Sequence, residues 1–175
     1  MESRQLRIVT RITTIYDKRE DRLRLSVLDD SGQRMVLWLT QRLASPVLRA
    51  LVGEIENSVA SQASPAARPA VQLMEQARAD LERKPAPPIE PSKEDEEHLI
   101  LHVGLRRGSR AIRLTFYWGE GDEERIALGI GRTRLRQWLR IFHHHYKRAD
   151  WPLDLWPKWL ADDAPSKILG KDHLH

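Results

Sequence analysis

The 175-residue chain contains no cysteine and no apolar run that approaches the roughly 20 residues needed to span a bilayer. Without cysteine there is no disulfide framework, no thiolate nucleophile and no cysteine-ligated metal, and the composition suits a reducing cytoplasm. The opening residues, Met1-Glu2-Ser3-Arg4-Gln5-Leu6-Arg7, lack the apolar core of a secretory signal. The expectation is a cytoplasmic protein with no membrane contact. Enzyme signatures are missing as well: no Gly-rich phosphate loop with its Lys and Ser/Thr, no dinucleotide fingerprint, no nucleophile elbow, no helical His-Glu-x-x-His. The carboxylates fall in turns and linkers rather than in pairs, so a non-enzymatic protein that needs no cofactor is expected.

Histidine is present, but not in a metal-binding pattern. His143-His144-His145 lie about 100° apart on a helix and cannot converge on one ion. His98 and His102 share a strand face some 13 Å apart, and His173 and His175 stand near the end of the chain. No metal is expected.

What the chain does have is two stretches built to one plan. Leu6, Ile8, Ile12 and Tyr16 alternate with polar residues; polar turns at 17–21 and 29–32 lead into Leu23, Leu25 and Val27 and then Met35, Leu37 and Leu39. This period of 2 predicts an antiparallel meander. The second stretch alternates Leu99, Leu101, Val103 and Leu105, then Ile112, Leu114, Phe116 and Trp118, then Ile126, Leu128 and Ile130. From Leu135 the spacing becomes helical through Trp138, Leu139, Phe142 and Tyr146, which are expected in the core. A helix is also predicted from Ser45-Pro46 onward, with Ser as cap and Pro at the first position, and another over 70–84 with Val71, Met74, Ala77 and Leu81 on its apolar stripe. Pro85 to Pro91 reads as an extended, exposed linker.

The predicted fold is therefore α+β: two three-stranded antiparallel meanders, each followed by a helix in a ββα-type pseudo-repeat, with two helices inserted between them. Arg34-Met35-Val36-Leu37-Trp38-Leu39 and Arg125-Ile126-Ala127-Leu128-Gly129-Ile130 hold corresponding places. The expected organisation is a single domain over 1–150, built from similar halves at 1–60 and 98–150 joined through 61–97, and a Trp-rich tail at 151–175. In element order, residues 4–148 are similar to the head domains of eukaryotic end-joining scaffolds and centriolar cartwheel proteins. That resemblance implies dimerisation through a following coiled coil, from which this chain departs because Asp150-Trp151-Pro152 stops the last helix.

The formal charge of +4 is unevenly distributed. Residues 1–97 carry 15 Lys and Arg against 16 Asp and Glu, whereas residues 98–175 carry 14 against 9. Meander geometry should gather Arg106, Arg107 and Arg110 in one turn near Arg132, Arg134 and Arg136 at the start of the last helix. Arginines there oppose the helix dipole unless an anion is present. Arg136, Arg140, His143 and Lys147 then form a stripe away from the leucine and tryptophan face, with Arg136 and Arg140 expected to face solvent. These cations point to the phosphates of DNA or RNA, held with little base readout.

The tail residues Trp151, Trp156 and Trp159 are costly to leave in water and must dock on the protein's own sheet or on a partner. The alternative function is thus a protein–protein or homo-oligomeric scaffold, self-associating through strand edges or this tail with no nucleic-acid role.

Overall fold

The structure, a computed structural model, describes residues 5–162; His173 and His175 lie outside the described residues. It is α+β, with a four-stranded and a three-stranded sheet and four helices. Strands β1 (Val9–Asp17), β2 (Arg22–Asp29) and β3 (Arg34–Leu39) form an antiparallel meander. Asp29, only 2% exposed, organises the β2–β3 turn. Its carboxylate accepts from the Ser31 and Gln33 backbone N–H groups (3.0 and 2.8 Å), the Ser31 hydroxyl (2.7 Å) and Arg7 Nε (2.8 Å). Burial raises the carboxyl pKa, but the bonds from Ser31, Arg7 and Gln33 outweigh it, and the net shift is downward. Gly32 supplies the positive φ (82°) that closes the turn.

Helix α1 (Gln41–Ala60) starts one turn earlier than the Ser-Pro pair suggests. Thr40 is its cap, accepting from Leu43 N, and Pro46 lies inside the helix as its sixth residue, where it has no N–H to offer the Arg42 carbonyl. Ser45 is instead hydrogen bonded to the Tyr146 hydroxyl at 2.8 Å, tying α1 to the last long helix.

Helix α2 (Arg68–Glu82) departs from expectation in its facing. Two residues of the stripe predicted to be buried stand in solvent, Met74 70% and Leu81 69% exposed, Val71 and Ala77 are half-buried, and Gln72, Gln76 and Ala79 are buried instead. The Pro-rich segment that follows is extended and largely exposed, as predicted, yet anchored. Ile89 is buried, its N–H donates to Thr13 Oγ1 (2.9 Å), and Arg11 and Arg34 donate to the carbonyls of Pro87 and Glu90.

The alternating run expected as one strand from Leu99 to Leu105 is two. Strand β4 (Glu96–Leu99) joins β3 in parallel, and β5 (His102–Arg107) begins the second sheet. The switch falls between adjacent residues: Ile100 N bonds to Trp38 O in the first sheet, and Leu101 N to Tyr117 O in the second. The buried residue is consequently Ile100, out of phase with the predicted series, while Leu101 is 63% exposed. Strands β6 (Ala111–Tyr117) and β7 (Arg125–Gly131) complete an antiparallel sheet in the order β5-β6-β7. A parallel bridge between Ile8 and Ala127 brings β1 beside β7, so the two sheets are linked on both flanks.

Helix α3 (Arg132–Ala149) starts directly from Gly131 and ends where Asp150 turns left-handed (φ 56°). Leu135, Trp138, Leu139, Phe142 and Tyr146 are buried, as their spacing predicts, and share one core with α1 and the inner faces of both sheets. The short α4 (Lys158–Ala161) packs against α2 and α3. Among the described residues no helix is long and apolar enough to cross a membrane.

Candidate nucleic-acid interface

Beyond the Ile8–Ala127 bridge, β1 and β7 both border a groove of about 610 Å³. Its remaining walls are α3 and the segment 83–88. The lining carries Arg11, Arg83, Lys84, Arg134, Arg140 and Lys147 together with His143, His144 and His145, and no aspartate or glutamate. Same-sign charge along a concave wall raises the local potential and attracts anions. Arg134 and Lys147 mark the ends of the α3 wall, some 20 Å apart at 1.5 Å per residue. Both are exposed, as are Arg83 and Lys84 on the opposite lip.

Other polar groups of the lining serve the fold. Trp138 Nε1 donates to Thr14 Oγ1 at 2.9 Å, and the Tyr16 backbone N–H donates to His145 Nδ1 at 3.2 Å. Burial, reinforced by His144 and Arg148, pushes the His145 pKa down to about 4, so its imidazole is neutral at pH 7. Among the described residues no cluster of three or more His, Asp and Glu is placed to hold a metal ion.

A second cavity, about 340 Å³, lies against the β5–β6 turn, α1 and the start of α3, and Ile130 borders both. Here the fold brings together Arg107, Arg110 and Arg132, the turn-and-helix grouping expected from meander geometry. Arg107 is partly neutralised, its Nε donating to Glu54 Oε1 of α1. Arg106 lies elsewhere, on the outer face of the second sheet, directly opposite Arg113 and in the cross-strand row that ends at Gly129 on the groove. Like charges directly opposite are unfavourable without a counter-charge. Arg113 was not legible as a candidate because it sits as a lone cation in an alternating strand.

Two predicted contacts are corrected. Arg136 does not face solvent: it is 4% exposed, donates through Nη2 to Gln72 Oε1 at 2.7 Å, and lies 5.3 Å from the Trp159 ring centroid. Burial lowers its pKa, opposed by the charges of Glu75 and Asp80. Arg140 reaches the groove but is held by the Leu160 carbonyl and by Asp80 at 3.1 Å. The reason is the same for both: α2 and α4 cover the side of α3 that periodicity assigned to water. Sequence reasoning also missed Arg11, Arg83 and Lys84, which come from the half of the chain with no net positive charge.

The tail tryptophans pack on the protein itself. Trp151 makes edge contacts with Tyr16 and Tyr146, and its Nε1 donates to Asp21. Trp156 packs edge-on against Tyr146 and His143. Trp159, half-buried, donates to Glu56. Of the two expected places for these rings, the protein itself and a partner, the structure shows all three packed against the protein's own core. Comparison with protein-family models, curated proteins and solved structures finds no match to this chain.

Proposed function

We propose that this protein acts by binding rather than by catalysis, and that its ligand is the phosphate backbone of DNA or RNA, held along the groove between α3 and residues 83–88. The observation that carries this reading is a groove lined by six arginines and lysines and three histidines with no carboxylate. Arg134, Lys147, Arg83 and Lys84 are exposed cations on its lips with no ion pair among the described residues, and the Arg106–Arg113 row and the Arg110–Arg132 cavity extend the positive surface beyond it. Phosphate contacts of this kind give affinity without sequence preference. The repeat of a meander leading straight into a helix, at Arg34–Leu39 before α1 and Arg125–Gly131 before α3, supports a pseudo-repeat in which the second copy carries the larger net positive charge.

The test is binding of labelled single- and double-stranded oligonucleotides by the native protein and by Arg134→Glu combined with Lys147→Glu. Both side chains are exposed, so the fold survives, and affinity should fall at least tenfold. Unchanged affinity would remove the groove from the interface. A second reading, assembly without nucleic acid, is favoured by β5, an edge strand of the second sheet, where Leu105 and the preceding Leu101 are exposed. It predicts no binding even at low salt.

A further inference from the structure

Helix α2 is amphipathic in the wrong sense for its place. Its inward face is polar: Gln72 accepts from Arg136, Gln76 donates to the Arg136 carbonyl at 3.3 Å, and Asp80 pairs with Arg140. At 100° per residue the direction opposite Gln72 and Gln76 is occupied by Ala70, Met74, Ala77 and Leu81, at spacings of 4, 3 and 4. Met74 and Leu81 stand about two-thirds or more in solvent. A 4-3-4 apolar seam is the pattern of a helix that packs lengthwise on another helix. No described residue of the chain covers either side chain, and the remaining sides of α2 are occupied by α1, α3 and α4.

We propose that this seam is a self-association surface on which α2 of one copy packs antiparallel to α2 of a second. The seam is its own complement. Turned about a two-fold axis that passes between Glu75 and Gln76, it sets Met74 against Ala77 and Leu81 against Ala70, each large side chain over a small one. The same operation brings Arg78, which pairs with Glu82 of its own helix at 2.9 Å, within a turn of Glu75 on the other copy. An isologous contact requires this kind of reversal symmetry. A 15-residue helix is about 22 Å long and buries less than a standard interface, so the association is reversible and depends on concentration.

The experiment is sedimentation of the full chain from about 1 to 500 µM, with Met74→Glu plus Leu81→Glu as the variant and circular dichroism as the folding control. The native mass should climb from 20.3 kDa toward twice that value, while the variant, its helix content unchanged, should stay monomeric throughout. The direction of packing is read by mixing the single variants Met74→Cys and Ala77→Cys in a chain that has no other cysteine. Under mild oxidation the mixture should form covalent dimer several-fold faster than either variant alone. A native chain that is monomeric at 500 µM overturns the proposal, as does a dimer that survives the double substitution. A dimer lost on substitution but without preferential mixed crosslinking overturns the antiparallel register.

Discussion

Arg136 separates a cation that serves a ligand from one that serves the fold. Replacing it by alanine leaves the buried Gln72 Oε1 without its donor, a loss of about 1–3 kcal/mol. It also removes the guanidinium from the face of Trp159, worth about 0.5–2 kcal/mol. Against this stands the cost of keeping a charge out of water, which the lowered pKa registers and the alanine variant recovers. Nη1, buried with no hydrogen bond among the described residues, adds to that cost. The net expectation is a destabilisation of about 2–4 kcal/mol for Arg136→Ala and about 1–2 kcal/mol less for Arg136→Met, which strands Gln72 Oε1 equally but keeps the packed volume. Urea unfolding measures both: with a slope near 2 kcal/mol/M, the alanine midpoint should drop by roughly 1–2 M. An alanine variant as stable as the native protein would mean that Arg136 stands in solvent, as its helical position suggests. A methionine variant as damaged as alanine would mean that the charge itself holds α2 and α4 in place.

Two further predictions concern titrating groups. His145 has its pKa depressed from 6.5 to about 4, so the unfolded chain takes up its proton first as pH falls. Its contribution is complete above about pH 6.5 and is lost between there and pH 4, up to about 3 kcal/mol, and His145→Gln should flatten urea-derived stability across that window; an unchanged slope would refute the neutral imidazole. Asp29→Ala should cost about 2–4 kcal/mol by stranding the Ser31 and Gln33 N–H groups and Arg7. Because the folded pKa of Asp29 lies below its ordinary value, its contribution is present above about pH 4 and fades as pH falls further, so the native and alanine proteins should converge in stability in acid.

Much of the fold was legible because short-range periodicity sets it. The first three strands, the last two and the core face of α3 follow from alternation and from the offsets of Leu135 to Tyr146. What failed was decided by distant neighbours. Nothing local marks the change of sheet at Ile100–Leu101, since both sides of it keep the strand period. The facing of α2 was misread because apolar stripes usually turn inward, whereas here Gln72 and Gln76 are held inward by hydrogen bonds to Arg136, itself misread as exposed. Of the six arginines expected to gather, Arg107, Arg110 and Arg132 share one cavity, whereas Arg106, Arg134 and Arg136 lie elsewhere. The groove was invisible because Arg11, Arg83 and Lys84 reach it from segments whose own charge is balanced.

The most direct test of the account is the salt dependence of oligonucleotide binding. With four exposed cations on the groove lips, log affinity should fall with log salt at a slope near −3 to −4, about a hundredfold loss between 50 and 200 mM, and Arg134→Glu with Lys147→Glu should reduce the slope by about 2. Undetectable binding at 50 mM, or binding whose slope the two substitutions leave unchanged, would contradict a phosphate-holding groove.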